Sequence, residues 1–252
     1  MKCCLLPNAR RWRDLLLSAV LLFAVTGAAQ ADIPAAERGV LTALYSQTAG
    51  AGWTNGSNWN GAAGTECTWY GVSCDGATDA TSTHVIAIVL QNNNLVGTLP
   101  TTLNNLPALV HFGAWGNRLR GSIPPLTGLQ SLVIFDVSDN RLTGGIPALS
   151  GLTSLAFFDV DSNQLTGSIP LLAGLTSLAY LHAFANELSG GLPSLHGLVA
   201  LNTFDVHHNQ LTGNLPDLSE LASLEQFVAD DNRLAGPAPA VSDPESSVIS
   251  RR

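Results

Sequence analysis

The segment Phe204–Gly213, FDVHHNQLTG, places one carboxylate and two imidazoles close together, at Asp205, His207 and His208. Carboxylate oxygens and histidine nitrogens are ligands for divalent metals, and a His–Asp pair can also perform general acid/base catalysis. Whether these side chains do either depends on the elements that position them. The surrounding sequence shows that they belong to a repeat.

From residue 85 onward the sequence repeats every 23 residues, apart from a first step of 24. Each unit has an asparagine, a glycine four residues later and a proline three residues after the glycine. The asparagines that define this register are Asn93, Asn117, Asn140, Asn163, Asn186, Asn209 and Asn232. A period of this length predicts a solenoid of stacked units.

The apolar positions in each unit predict its local structure. Counted back from the asparagine, positions −8, −5 and −3 are almost all apolar, as at Leu132, Phe135 and Val137. The alternation around −5 and −3 predicts a strand, which we expect to end at the asparagine. Leucines about every third position follow the proline, which favours a 3₁₀ or irregular return over a long helix.

The full pattern, L-x-x-L-x-L-x-x-N-x-L-x-G-x-I-P, resembles the leucine-rich repeat and specifically its plant-type subclass, marked here by LTGGIP, LTGSIP, LSGGLP and LTGNLP. The resemblance covers residues 85–240, as seven repeats. It implies an α/β fold: a right-handed solenoid, shaped as a horseshoe or superhelix, with a parallel β-sheet on its concave face and an irregular or 3₁₀ convex side. Since these residues include no kinase, the chain is most similar to stand-alone ectodomains, such as polygalacturonase-inhibiting and bacterial secreted leucine-rich repeat proteins.

Residues 32–84 differ in composition from the repeats. A helix is predicted from Asp32 or Pro34 to Gly50, with Val40, Leu41 and Leu44 on its apolar side. The segment CTWYGVSC that follows resembles the N-terminal cap of plant-type leucine-rich repeat proteins. A solenoid needs such a cap because its first unit would otherwise expose an apolar cross-section and a strand edge.

Cys67 and Cys74 are the only cysteines outside residues 1–31, the segment that is predicted below to be a signal peptide for export. An even pair of cysteines in an exported chain predicts one disulfide. A two-thiol metal site is disfavoured because further ligands are lacking nearby. We expect Trp53, Trp59 and Trp69 to cover the end of the core in preference to forming a sugar-stacking platform.

The two ends of the chain are predicted to lie outside the solenoid. Residues 1–31 have a basic start, a short apolar run and an Ala-Gln-Ala site, which predict a signal peptide and a secreted, periplasmic or cell-surface location. Residues 241–252 are predicted to be a disordered tail. After residue 31 the chain has 7 arginines, no lysine and 18 acidic residues, which disfavours nucleic acid and anionic membranes as partners. No second apolar run is long enough to span a membrane.

The side chains at positions −6, −4, −2 and −1 of each repeat form the concave face, where the resemblance places ligand binding. Aspartates, histidines and aromatic residues are concentrated there. The predicted ligand-binding residues are Trp115, Asp136, Phe157, Asp159, Asp161, Tyr180, His182, Phe184, Asp205, His207 and Asp230. Aromatic side chains are frequent anchors of interfaces, and an exposed apolar strip favours a contact site over a merely solvated sheet.

Catalysis is disfavoured because an open sheet excludes water poorly and offers no evident oxyanion donors. We therefore expect no catalytic residues, no cofactor and no enzyme activity. Asp159, His182 and Asp205 on consecutive rungs could bind a divalent cation, although an acidic patch is more often simply solvated.

These observations predict a secreted recognition module that binds a protein ligand of basic character on its concave face. One alternative is inhibition of a wall-degrading enzyme, as in polygalacturonase-inhibiting proteins. Another is binding of a cell-wall glycan, with Trp115, Tyr180 and Phe184 as stacking surfaces.

Overall fold

The computed structural model describes residues 33–76, 83–235 and 249–250. The predicted signal peptide, residues 1–31, lies outside the described residues. The predicted cap helix is present as α1, Ala35–Gln47, with Pro34 at its N-cap. Its buried residues Val40, Leu41 and Leu44 pack into the same hydrophobic core as the repeats. The described ranges contain no helix with the length and hydropathy that a membrane crossing requires.

The cap closes the first end of the core with aromatic side chains. Trp53, Trp59 and Trp69 are all buried, and their rings are in contact, with centroids 4.8 Å apart for Trp53–Trp59 and 5.1 Å for Trp59–Trp69. This burial confirms the capping role, because a sugar-stacking platform would need exposed rings. Cys67 and Cys74 form the predicted disulfide, with Cα atoms 5.6 Å apart.

The main sheet runs through every repeat. Its strands in the described residues are β1 Val72–Cys74, β2 Val85–Val89, β4 His111–Gly113, β6 Ile134–Asp136, β8 Phe157–Asp159, β10 Tyr180–His182, β12 Thr203–Asp205, β14 Gln226–Val228 and β16 Ile249–Ser250. All neighbours pair in parallel except β1 and β2, which are antiparallel. The seven repeat strands end four residues before the asparagine, so the expectation that the asparagine ends the strand is wrong. The intervening residue at −1 has a positive φ in every repeat, which turns the chain there.

A second sheet, absent from the sequence predictions, runs along the solenoid beside the first. Its strands in the described residues are β3 Val96–Gly97, β5 Arg118–Gly121, β7 Arg141–Gly144, β9 Gln164–Gly167, β11 Glu187–Gly191, β13 Gln210–Asn214 and β15 Arg233–Ala235. These strands lie at the N-x-L-x-G segment, and at two to five residues each they are too short to give a clear strand pattern.

The second sheet begins on the cap. Val96 donates its N–H to the Thr48 carbonyl at 3.0 Å, and Thr98 donates to the Gln47 carbonyl at 3.2 Å. Gly97, between them, has φ +141°, and a Cβ there would clash with the Gln47 carbonyl oxygen. The end of α1 and the residue after it therefore hold the first strand of the second sheet against the cap.

The asparagines form a ladder of hydrogen bonds from repeat to repeat. The Asn140, Asn163 and Asn186 Oδ1 atoms each accept the N–H of a leucine in the preceding repeat, at 2.9 Å. Their Nδ2 groups donate to backbone carbonyls of their own and the preceding repeat. We call the seven repeat asparagines, the first of them Asn93 and the last Asn232, the asparagine ladder.

The return segments and the last strand complete the described fold. The first return contains a 3₁₀ turn, Leu103–Asn105. Later returns contain turns closed by a hydrogen bond between residues three apart, such as the bond from the Leu152 N–H to the Leu149 carbonyl, 3.2 Å. This confirms the predicted irregular convex side. Strand β16 pairs with β14 and lies within residues 241–252, so the predicted disordered tail is contradicted at Ile249–Ser250. The remainder of that segment lies outside the described residues.

Candidate functional site

Parallel pairing brings the predicted columns of the concave face together. His182 on β10 is the register partner of Asp159 on β8 and of Asp205 on β12. In the neighbouring column Tyr180 lies between Phe157 and Thr203. Adjacent strands are about 4.8 Å apart, so these side chains meet although 23 residues separate them along the chain. The predicted order of both columns is confirmed.

Aromatic and imidazole rings form a continuous chain of contacts across three repeats. Phe157 lies 5.9 Å from Tyr180 and 5.7 Å from His182, between ring centroids. His182 lies 6.4 Å from Phe184. Phe184 in turn stacks on His207, with centroids 4.6 Å apart and an interplanar angle of 12°. We call these five residues the ring chain; each occupies a position that differs from repeat to repeat, so none belongs to the repeat scaffold.

Carboxylates orient the imidazoles of this face. His207 Nδ1 lies 2.5 Å from Asp205 Oδ1, and His182 Nδ1 lies 3.3 Å from Asp159 Oδ2. Asp205 Oδ1 also faces the His207 backbone N–H at 3.3 Å. With one ring nitrogen fixed in this way, each imidazole has a defined plane and a single remaining nitrogen for another partner.

His208 differs from His207. It lies at position −1, with φ +53°, and its Nε2 contacts Asp231 Oδ2 at 3.1 Å. Sequence reasoning named His208 but missed Asp231 as its partner. The two residues are each about half exposed and belong to the turns after β12 and β14.

Burial and neighbouring charges shift the pKa values of two histidines and one aspartate on this face. Burial lowers the pKa of His207, but the hydrogen bond and charge of Asp205 outweigh it and the pKa is raised. Burial also lowers the pKa of His182, but the hydrogen bond and charge of Asp159 outweigh it and that pKa is raised as well. Burial and the neighbouring Asp159 carboxylate raise the pKa of Asp161. Each imidazolium is therefore favoured by the carboxylates around it.

Several predicted site residues are less exposed than expected. Asp136, Phe157, Asp159 and His182 are buried, with exposed fractions of 2–7%, so the expectation that they are open to solvent is wrong. The neighbouring repeat contributes to this burial at Phe157, which lies against Tyr180 and His182. Within its own repeat, Asp136 accepts a 2.7 Å hydrogen bond from the Ser138 hydroxyl. The half-buried members are Trp115, Asp161, Tyr180, Phe184, Asp205, His207 and Asp230.

Two observations bear on a catalytic or metal-binding role for this face. No serine, threonine or cysteine side chain of the described ranges forms a hydrogen bond with the His182 or His207 ring. Within those ranges no three histidine, cysteine, aspartate or glutamate side chains are grouped so as to hold a metal ion. In the described residues the cation hypothesis therefore lacks a grouped set of ligands, and each of the two imidazoles contacts one carboxylate.

Comparison with solved structures identifies the family. Pollen Receptor Kinase 3 is 30% identical to this chain, with a TM-score of 0.57 over 67% of this chain and 81% of that one. This chain belongs to the plant-type leucine-rich repeat proteins. The LRR ectodomain of the receptor kinase SOBIR1 from Arabidopsis thaliana, 23% identical, shares the fold with a TM-score of 0.55 over 82% of this chain and 99% of that one.

Larger plant-type leucine-rich repeat receptors match only in part. The plant peptide hormone receptor RGFR1, in complex with RGF2, is 32% identical, with a TM-score of 0.52 over 58% of this chain. The chain spans 28% of that receptor structure, and 34% of that of a TDR receptor. No family model matches the chain.

Proposed function

We propose that this protein is an extracellular recognition module that binds a protein or peptide ligand on its concave face, without catalysis. The observation that carries the proposal is the ring chain, Phe157, Tyr180, His182, Phe184 and His207, which joins three repeats on one face. Aromatic side chains are enriched in interface hot spots, because they bury a large area at a small cost in conformational entropy.

The charges beside the ring chain favour a basic ligand. Asp205 and Asp230 are half-buried neighbours of His207, and both raise its pKa through their charge. A lysine or arginine of a ligand placed there would replace the imidazolium charge that these carboxylates favour. Its cationic group would also gain from the aromatic faces nearby. Electrostatic complementarity of this kind increases both association rate and selectivity.

The main sheet provides a pre-organised platform for such a ligand. Its strands are fixed by parallel pairing and by the asparagine ladder, so little backbone entropy is lost on binding. The relative RGFR1 is described as a peptide hormone receptor in complex with RGF2. That similarity supports a peptide or protein ligand for this chain.

The two alternative functions have weaker support. Stacking of a sugar needs a free aromatic face, yet one face of Phe184 is already covered by the His207 ring, and Trp115 is half-buried. Tyr180 lies against Phe157 and His182. Inhibition of a wall-degrading enzyme would be a special case of protein binding. No contact in the described residues favours such an enzyme over another protein ligand.

Selection from a library of random peptides displayed on phage tests the proposal. The purified chain is compared with a variant carrying Phe184→Ala and Asp205→Asn, and with a control variant, Thr166→Ala, whose side chain is exposed on the second sheet. We expect the native chain and the control to enrich peptides that combine lysine or arginine with apolar residues. The concave-face variant should lose at least tenfold in affinity for these peptides.

Enrichment of the same peptides by the concave-face variant would place binding elsewhere on the molecule. Enrichment of acidic peptides would contradict the proposed charge preference. Far-UV circular dichroism and urea unfolding of all three proteins establish that any loss reflects the site and not the fold.

A further inference from the structure

The second sheet carries an arginine patch at its N-terminal end, formed by Arg118, Arg120 and Arg141. Arg118 and Arg120 alternate with buried Leu119 on β5, so both point to the solvent side. Arg141, on the adjacent strand β7, is exposed and is the register partner of Arg120. At the spacing of neighbouring strands, about 4.8 Å, three positive charges share one small surface.

No acidic side chain of the described ranges neutralises this patch. None of its three guanidinium groups forms an ion pair there, although the chain has an excess of acidic residues. The same ranges contain only two other arginines, Arg38 and Arg233, and no lysine. Adjacent like charges destabilise a sheet, so the patch has an unfavourable electrostatic energy that an anion would relieve.

The repeat scaffold does not require arginine at these positions. The residue that follows the ladder asparagine is glutamine or glutamate in the next three repeats, at Gln164, Glu187 and Gln210. The position that Arg120 occupies, three residues after the ladder asparagine, holds Thr143, Thr166, Ser189 and Thr212 in the four repeats that follow. The arginine patch is therefore a property of two repeats and not of the fold.

We infer that the arginine patch binds an acidic polysaccharide. The planar guanidinium group binds carboxylate and sulfate oxygens in bidentate geometry, and a polysaccharide with regularly spaced acidic groups can engage the arginines of both strands at once. An acidic protein is a poorer match, because specific protein interfaces have an apolar centre. Apart from Val96 on β3, the exposed strand side chains around the patch are polar, as at Thr143 and Gln164. This site lies on the second sheet and does not depend on the proposed ligand of the concave face.

Binding to defined polymers tests this inference. Hyaluronate presents carboxylates, dextran sulfate presents sulfates, dextran is neutral, and polyglutamate represents an acidic polypeptide. The patch variant carries Arg118→Gln, Arg120→Gln and Arg141→Gln. Its matched control is Arg233→Gln, an exposed arginine at the equivalent position to Arg118 and Arg141, at the far end of the same sheet.

We expect the native chain to bind hyaluronate or dextran sulfate but not dextran, with an affinity that falls as salt is raised from about 0.05 M to about 0.5 M. The patch variant should bind at least tenfold more weakly, and Arg233→Gln should change the affinity by less than twofold. Urea unfolding shows whether the patch variant retains its fold, which we expect because all three side chains are exposed.

Three results would overturn the inference. Polyglutamate binding without polysaccharide binding would assign the patch to an acidic protein. An equal loss in Arg233→Gln would show a general effect of net charge, and unchanged binding in the patch variant would place the polymer elsewhere. None of these results bears on peptide binding to the concave face, so the two sites can be judged separately.

Discussion

Asn163 occupies the middle of the asparagine ladder, and its replacement by alanine tests how the ladder stabilises the solenoid. Its Oδ1 accepts the Leu142 N–H at 2.9 Å. Its Nδ2 donates to the carbonyls of Val137, Val160 and Asp161, at 3.0, 3.2 and 2.9 Å. The side chain is buried, so water cannot easily replace these four bonds.

The loss in the free energy of unfolding caused by Asn163→Ala depends on which backbone groups lose their only hydrogen-bond partner. The Val137 carbonyl keeps the Asn140 amide, at 3.1 Å, and the Val160 carbonyl keeps the Asn186 amide, at 3.0 Å. The Asp161 carbonyl keeps the Asp139 N–H at 3.1 Å. Only the Leu142 N–H is left unsatisfied. An unsatisfied buried donor costs about 1–3 kcal/mol, and the weakened carbonyl contacts add less than this, so we expect a total of about 3 kcal/mol.

Asn232 is the matched control because it makes the same bond, to the Leu211 N–H at 2.9 Å, but is only half-buried. Water can reach its position more readily, so Asn232→Ala should cost about 1 kcal/mol. Urea unfolding measures both variants, with circular dichroism and tryptophan fluorescence compared to test for a single transition. Equal losses in the two variants, or a loss below about 1 kcal/mol for Asn163→Ala, would refute this explanation of the ladder.

Three further predictions concern the cap, the turns and the concave face. Replacing both Cys67 and Cys74 by alanine should lower the free energy of unfolding by about 2–3 kcal/mol, measured in urea without reductant, because the unfolded chain loses a short closed loop. Ala185→Gly should raise the free energy of unfolding by about 1 kcal/mol, since Ala185 has φ +52° and glycine adopts that conformation without strain; an unchanged urea midpoint would contradict this. Affinity for a selected basic peptide should rise as the pH passes upward through the raised pKa of His207, because deprotonation removes a positive charge beside Asp205. Titration from about pH 5.5 to about pH 8.5 should show this rise, and His207→Gln should flatten it.

The repeat, its register and its strands could be predicted from the sequence because the scaffold residues recur. Asparagine, glycine and proline at fixed spacing set the period, and the pairing of Asp136 with Asp159 and of His182 with Asp205 follows directly from it. The disulfide and the cap helix were also predictable, since each depends on residues close in sequence. The second sheet could not be predicted because its strands, of two to five residues each, have no periodicity long enough to detect.

The concave face could be predicted only in part. Column order determines which side chains are neighbours, but not how deeply they are buried. Asp159 and His182 are buried and paired, whereas Asp205 and Asp230 are half-buried. The stacking of Phe184 on His207 depends on rotamers, which sequence spacing leaves undetermined. The arginine patch depends on a sheet that the sequence did not indicate.

The segment FDVHHNQLTG shows both contributions. Its sequence alone assigns Phe204, Asn209 and Leu211 to the scaffold, because matching residues recur in the other repeats and a solenoid needs them for its core and its backbone hydrogen bonds. Only the tertiary structure shows that His207 contacts Asp205 and stacks on Phe184. Those contacts depend on side-chain torsions and on residues brought close by strand pairing, neither of which a linear pattern contains.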